Sequence, residues 1–280
     1  MTREELWVCH LGTVPYLDAV ALQEQIRARR QAEELPDTLL LLEHPPVYTH
    51  GRRTAAGELQ FGENFYRAKG IDVVQTDRGG RVTYHGPGQL VGYPIMGVFD
   101  IGSHLRTIEA AIVAALSEEG IDAHSRSDEG PDYTGVWVGP RKIASIGVHV
   151  SRGISTHGFA VNVDNDLDPF SWVVACGLPD VTMTSLARET SERRWSISDR
   201  SASSPIVQDR PAHVQSTPRG GVGSDPGLAC PEAPLDRFRR SIAHTFCEAH
   251  SRRQRLVSPR RLAIEAPLAH APSRRVAVPA

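Results

Sequence analysis

Apolar positions along this chain follow two rhythms, one helical and one strand-like, and both fade after about residue 190. In "PYLDAVALQEQIRARRQAEEL", Leu17, Val20, Leu22 and Ile26 fall at near-helical spacing, and Pro15 suits a first helical turn. The run "TLLLLEH", Thr38 to His44, is short and continuously apolar, which predicts a buried strand. "GIDVVQT", "LVGYPIMGV" and "GVWVG" are further β-rich runs bounded by Gly and Pro. Between the last two, Leu105, Ile108, Ile112 and Leu116 share one helical face that stops at Gly120. "KIASIGVHVS" and "THGFAVNV" predict a strand pair turned at Ser151 to Gly153. The expected class is α/β or α+β, with strands dominating the middle.

From about Glu189 the texture changes. Residues 1–190 carry the patterning of one folded domain, whereas 191–233 are rich in Ser, Pro, Gly and Arg with little to bury, and predict disorder. Leu235, Phe238, Ile242 and Phe246 then recur at three- to four-residue intervals, predicting a helix over 234–252 that docks on the core. Residues 253–280 are again Arg/Pro-rich and read as a disordered, solvated tail.

Composition narrows the function classes. The formal net charge of −2 gives no global electrostatic reason to bind nucleic acid or membrane. No apolar run approaches the roughly 20 residues of a membrane span, and the N-terminus lacks a signal-peptide core. A cytoplasmic protein is expected, with a monomer as the default. The four cysteines, Cys9, Cys176, Cys230 and Cys247, show no metal-ligand spacing and no disulfide framework, so no metal is expected.

Three places carry candidate chemistry. "DRGGRVTYHGPGQL", Asp77 to Leu90, sets Arg78, Arg81, Thr83, Tyr84 and His85 between two glycine breaks, Gly79–Gly80 and Gly86–Pro87–Gly88, as a ligand-binding segment would. It is not a Walker A loop. Lys142 is one of only two lysines, with Lys69, among 31 basic Lys and Arg residues. An arginine-biased chain that keeps a lysine at the start of an apolar strand points to a group that handles protons, since arginine cannot lose one. The bland alternative is a surface lysine at a strand edge. In "SWVVACGLPD", Cys176 precedes Gly177 and Pro179, so its thiol falls at a turn beside backbone N–H groups. Cys9 and Cys247 read as small buried hydrophobes, and Cys230 as an incidental exposed thiol.

"LLLLEHPPVYTHGR", "VVQTDRGGRVTYHGPGQLVGYPI", "RKIASIGVHVSRGISTHGFAVNV" and "ACGLPDVTMTSL" together resemble the lipoyl(octanoyl) transferase family, in family order from about Leu39 to Leu186. The resemblance implies the biotin/lipoate-protein ligase-like fold, a mixed, largely antiparallel sheet flanked by helices. It implies a cofactor-free acyl transfer: octanoyl passes from octanoyl-acyl carrier protein to an enzyme cysteine, then to a lysine on a lipoyl domain. Acceptors would be the lipoyl domains of 2-oxoacid dehydrogenase complexes and the glycine cleavage H protein. By position, the resemblance makes Cys176 the nucleophile and Lys142 its proton partner. It places acyl binding on Arg78, Gly79, Gly80, Arg81, Val82, Thr83, Tyr84, His85, Ser145, Ile146, Gly147, Gly158, Phe159 and Ala160. Small residues in "SIG" and "GFA" are expected to leave room for the acyl chain, and backbone N–H groups near Gly80 or Gly177 to meet the oxyanion.

Arg81 stands where the family often has a neutral or acidic residue. His85 is read as holding its loop by hydrogen bonds, and His44, His149 and His157 as packed or surface histidines. Arg52, Arg53, Arg67, Lys69, Arg141 and Arg152 are expected to form a local basic face for acidic carrier proteins. The rival readings are an ATP-dependent lipoate or biotin ligase on the same fold, a non-catalytic acyl-carrier-binding protein, and a cysteine hydrolase, which would need a His/Asn pair.

Overall fold

A computed structural model describes residues 3–174, 177–178, 181–201 and 233–262, the side chains of 194–201 excepted. The expectations for Cys176, Cys230, 202–232 and 263–280 lie outside the described residues. The chain runs β1 (Glu5–Thr13), α1 (Tyr16–Gln31), β2 (Thr38–Glu43), β3 (Val47–His50), α2 (Glu63–Ala68), β4 (Asp72–Gln75), β5 (Thr83–His85), β6 (Gln89–Ile95) and α3 (Ile101–Glu118). It continues through β7 (His124–Ser125), β8 (Gly135–Val138), β9 (Arg141–Ser151), β10 (Ile154–Asn162), α4 (Leu186–Ser201), α5 (Pro234–Ala249) and β11 (Arg253–Leu256).

Among the described residues, an eight-stranded sheet has the order β11-β1-β2-β6-β10-β9-β8-β7, and a smaller one the order β4-β3-β5. β1 is parallel to β2 and β11, and the other ladders of the large sheet are antiparallel. The mixed, largely antiparallel sheet flanked by helices is thus the expected architecture. β2 shows why its apolar run is unbroken. Leu39 and Leu41 join the core under α3 and α5, while Leu40 and Leu42 join the core under α1. Side chains alternate across a strand, so a central strand covered on both faces needs apolar residues at every position.

Local chemistry sets the element ends. The Asp100 side chain caps α3 by accepting from Ser103 N–H at 2.6 Å. At its other end Gly120 is left-handed (φ 75°), and Gly120 N–H and Ile121 N–H close back on Ser117 and Leu116 carbonyls. Ser151 pairs with Ile154 across Arg152 (φ 50°) and Gly153 (φ 78°), the two left-handed residues that a two-residue hairpin loop demands. α5 buries Phe238, Ile242 and Phe246 against the α3 side.

Three expectations change. The buried stripe of α1 is Tyr16, Ala19, Leu22, Gln23 and Ile26, with Leu17 at 61% exposure, because the stripe starts one residue earlier. α4 runs on to Ser201, eleven residues into the stretch expected to be disordered. Leu186 and Glu189 are buried and anchor its first turn, and the helix propagates from there. Residues 253–256 are an edge strand, not tail: Arg253 N–H bonds Glu4 O at 2.9 Å and Val257 N–H bonds Val8 O at 2.9 Å. Backbone pairing holds Arg-Gln-Arg-Leu there without an apolar side chain being buried.

Candidate active site

A cavity of about 460 Å³ runs over β6, β10 and β9, with Tyr16 of α1 on one flank and Ile101 and Leu105 of α3 on another, roofed by the loop Arg78–Arg81. Lys142 to Val150 of β9 line its length, with Val91 and Tyr93 of β6 and His157 to Ala160 of β10. Ser145 is paired with Ala160, and Ala160 with Val91, so three small or apolar side chains form one row across the floor. Ile101, Leu105 and Val150 add apolar wall.

The cavity brings together Arg78, Gly79, Gly80, Arg81, Val82, Thr83 and His85, then Lys142, Ser145, Ile146 and Gly147, then Gly158, Phe159 and Ala160. Tyr84 is the exception. β5 alternates, so Thr83 and His85 face the cavity, while Tyr84 packs on Tyr48 and Phe170 with ring centroids 5.4 and 5.5 Å away. The glycines also serve a different purpose from the one expected. A Cβ on Gly147 would lie 2.6 Å from Gly79 O, and one on Gly158 would lie 2.2 Å from Gly92 O. Their missing side chains admit neighbouring backbone, and Gly79 N–H then bonds Val148 O at 3.0 Å. The open floor of the cavity lies over the Val91–Ala160–Ser145 row, which takes Ser145 from "SIG" and Ala160 from "GFA".

Arg78 organises the roof. It is buried, and its guanidinium donates to Thr49 O (2.6 Å), Thr49 Oγ1 (2.8 Å), Gly79 O (3.0 Å) and Arg81 O (2.7 Å). Arg81, the family departure, pairs with Glu58 at 2.7 Å and Asp132 at 3.4 Å.

At one end of the cavity lies Lys142, 1% exposed, with Nζ 5.2 Å from the Trp137 ring centroid. The surface-lysine alternative is therefore gone. Strand alternation separates it from Arg141, which turns outward to a bidentate pair with Glu189 of α4 at 2.9 and 2.7 Å. Gly135, at φ 141°, makes the space: a Cβ there would come 2.7 Å from Lys142 Cε and 2.4 Å from Ala144 O. The two flanks of the Cys176 segment are tied to different neighbours. Val174 N–H bonds Glu58 O at 2.8 Å, while Lys142 N–H bonds Thr182 O and Thr184 N–H bonds Lys142 O, each at 2.9 Å. Gly177 is left-handed (φ 70°), and a Cβ there would lie 2.2 Å from Arg81 Cδ. Its N–H bonds Val174 O at 3.1 Å, so in this conformation it is already engaged.

The sequence reading missed a polar network behind the cavity. His44 is fully buried. Its Nδ1 donates to Val14 O at 2.6 Å, and a carbonyl only accepts, so Nε2 accepts from the Tyr93 hydroxyl at 2.7 Å. Burial pushes its pKa down to about 4. Burial also takes the His85 pKa well down, helped by His44 and Arg78. His85 Nδ1 meets Gln89 Oε1 at 2.7 Å, Gln89 Nε2 donates to Asn162 Oδ1 at 2.9 Å, and Asn162 Nδ2 donates to Thr184 O at 3.0 Å. That chain links the glycine-rich segment to Thr184, whose N–H bonds the Lys142 carbonyl. His157, left-handed at φ 55° within β10, bonds Asp77 Oδ1 at 2.8 Å through Nε2, and its backbone N–H donates to Gln23 Oε1 at 2.6 Å. Asp77, the residue before Arg78, is thus fixed to the sheet. Of the expected basic face, only Arg52 and Arg53 line the cavity beside the arginines of the roof.

Cys9 and Cys247 are buried, and burial pushes their thiols up to about 11 and about 12, too high for nucleophiles near neutrality. Among the described residues no three His, Cys, Asp or Glu side chains gather as a metal site, and no helix is long and apolar enough to cross a membrane.

The lipoyl protein ligase A/B catalytic domain family matches residues 15–202. An octanoyltransferase of Caldicellulosiruptor bescii is 45% identical over 186 residues, 65% of this chain and 80% of that protein. One of Acidothermus cellulolyticus is 48% identical, over 64% and 80%. A mitochondrial octanoyltransferase of Arabidopsis thaliana is 42% identical, over 66% and 79%. In structure, a lipoate-protein ligase A bound with ATP superposes with TM-score 0.59 at 17% identity, over 94% of this chain and 93% of that one. A bipartite lipoate protein ligase of Thermoplasma acidophilum gives 0.55 at 20%, over 94% and 91%. At those identities the structures speak for the fold alone.

Proposed function

The chain belongs to the octanoyltransferases of the lipoyl protein ligase A/B catalytic domain family, and we propose that it carries octanoyl from octanoyl-acyl carrier protein, through a thioester on Cys176, to a lysine of a lipoyl domain. It is a transferase, and octanoyl transfer in lipoylation is its reaction class. The observation that carries the finer reading is Lys142. An amine-bearing side chain is enclosed at one end of the cavity, and the chain that follows the Cys176 segment is bonded to its backbone through Thr182 and Thr184.

The chemistry balances without a cofactor. Lys142 takes the Cys176 proton, the thiolate attacks the donor carbonyl, and a tetrahedral oxyanion forms. The carbon–sulfur bond to the carrier's arm breaks, and the departing thiolate takes the proton back from Lys142. The neutral amine of the acceptor lysine then attacks the enzyme thioester. The bond to Cys176 breaks as the amide forms, and Lys142 passes the amine's proton to the leaving thiolate. Val91, Ile146, Val148, Phe159 and Ala160 hold the octanoyl chain, where each buried methylene contributes about 0.8 kcal/mol. Lipoyl domains of 2-oxoacid dehydrogenase complexes and the glycine cleavage H protein are the acceptors in this reading.

The test is intact mass after incubation with octanoyl-acyl carrier protein. The expected result is one octanoyl adduct on the wild type, absent from Cys176→Ser and discharged by an apo lipoyl domain. A wild type that stays unmodified by a verified donor would overturn the thioester, and acyl-adenylate formed with ATP would put the ligase reading in its place.

A further inference from the structure

We propose that Arg52 is the binding site for the phosphodiester of the donor's prosthetic arm, and so the residue that tells donor from acceptor at the cavity mouth. The inference rests on the acyl-carrier donor proposed above. Among the described residues, six charged side chains line the cavity: Arg52, Arg53, Arg78, Arg81 and Lys142 against a single carboxylate, Asp132. This is a concentrated positive site on a chain of net charge −2.

Most of these cations are already engaged. Arg78 is spent on roof carbonyls, Arg81 pairs with Glu58 and Asp132, and Arg53 pairs with Asp132 at 3.0 Å. Lys142 is enclosed at the reacting end. Arg52 differs, being exposed, with no hydrogen bond or ion pair of its guanidinium among the described residues. Its backbone is nevertheless fixed. Arg52 N–H bonds Arg78 O and Arg53 N–H bonds Gly80 O, both at 3.0 Å. A Cβ on Gly51 would lie 2.3 Å from Gly80 O, so this turn is packed directly on the roof. A rigid base therefore presents one uncommitted guanidinium at the entrance.

The donor's chemistry fits that feature. Its thioester ends a flexible arm whose other end is a phosphodiester, which is anionic at every relevant pH. With the thioester carbon delivered to the Lys142 end, the phosphodiester stays outside at the mouth. The acceptor's lysine arm carries no phosphate. A guanidinium offers a planar fork to two phosphate oxygens, a match an ammonium lacks. Arg52 thus favours loading by the donor without strengthening the hold on the acceptor.

The experiment compares octanoyl-pantetheine, octanoyl-4′-phosphopantetheine and octanoyl-acyl carrier protein as donors to wild type and Arg52→Gln, with the apo lipoyl domain as acceptor. We expect the kcat/KM preference for the phosphorylated over the unphosphorylated small donor to fall about five- to tenfold in the variant, through KM. Added salt should erode that preference in the wild type, and the KM for the lipoyl domain should stay within twofold. An unchanged preference overturns the assignment. So does a loss seen only with the intact carrier protein, since Arg52 would then meet the carrier's own carboxylates. If wild type uses none of the three thioesters, the acyl-carrier reading fails first and this inference with it.

Discussion

The two faces of the large sheet use the same strands in different ways. Under α3 and α5 lie Leu39, Leu41, Leu90, Val161, Ile108, Ile112, Phe238, Ile242 and Phe246, buried side chains with no polar atom to satisfy. Under α1 the same strands present Tyr93 and His157, packed with Tyr16, His44 and His85 in ring contacts of 5.1 to 6.3 Å. The first face needs apolar volume at helical and strand periods, and many side chains could supply it. On the second, each polar atom needs one particular partner, because a buried group left unpaired costs about 1–3 kcal/mol. The dry face sets stability and the polar face sets geometry around the cavity.

The largest expected effects separate these two roles. Lys142→Met keeps the buried stem and removes the amine, so octanoyl transfer should fall by about a thousandfold while the urea midpoint moves little. Phe238→Ala should do the reverse. It should cost about 3–5 kcal/mol in urea unfolding and leave turnover per folded molecule unchanged. Single-turnover transfer and equilibrium unfolding on both variants check the pair. A Phe238→Ala enzyme as inactive as Lys142→Met would break the division.

Acid should strain both faces together. His44 on the α1 side and His104 on α3 are each pushed down to about 4, in both cases chiefly by burial, with nearby His250 adding to the effect at His104. The unfolded chain binds these protons near pH 6.5 and the folded chain only near pH 4, so between those values the unfolded state holds more protons. Stability is then full above about pH 6.5 and is lost as pH falls, by about 3 kcal/mol per histidine at pH 4. Urea midpoints from pH 7 to pH 4 measure this. His104→Leu should flatten the slope, since His104 Nε2 has no hydrogen-bond partner to lose among the described residues. His44→Leu would flatten it too, but would strand the Tyr93 hydroxyl and the Val14 carbonyl.

Gly135 joins the faces. Its N–H donates at 2.9 Å to Glu109, a buried carboxylate on α3, while its bare Cα makes room for Lys142. Gly135→Ala should therefore lower stability by about 2–3 kcal/mol and turnover as well, because the new methyl meets Ala144 O and the lysine stem. Loss of stability with full activity would show that Lys142 has more freedom than its packing implies.

The contrast also explains what was legible in the sequence. The dry face follows local periods, so α3, β2 and α5 could be read directly, and Lys142 stood out against an arginine-rich composition. The polar network has no period. Tyr16 and His157 are 141 positions apart, Gln23 and His157 134, and Gln89 and Asn162 73. Histidines read singly as packed residues turn out to be packed, but their partners make them the frame of the cavity. Gly147 and Gly158 were visible as small residues, yet only the fold reveals that backbone fills the space beside them. β11 was hidden because its pairing is backbone to backbone, with Arg253 and Arg255 reaching Glu5.

The smallest effect tests whether the polar face positions the roof. Asp77 receives His157 Nε2–H at 2.8 Å, and His149 Nδ1 stands 3.4 Å from its other oxygen. Burial raises the Asp77 pKa, but the His157 bond and the charges of both histidines outweigh it, so the net shift is downward. A depressed carboxylate contributes stability above its unfolded value near 3.9 and loses it as pH falls further. The Asp77 side chain is 57% exposed, so solvent screens that contribution and the unfolding midpoint should scarcely move in Asp77→Asn. Asn keeps an acceptor for His157 and removes the charge that holds both rings. The Arg78–Gly80 loop should then be held less firmly, raising KM for the octanoyl donor about threefold with kcat retained. Between pH 6 and pH 8 the gap between variant and wild type should stay constant, because Asp77 remains ionised throughout. A gap that opens with pH across that range would assign the effect to the histidines instead, and an unchanged KM would make the Asp77–His157 contact incidental to the roof.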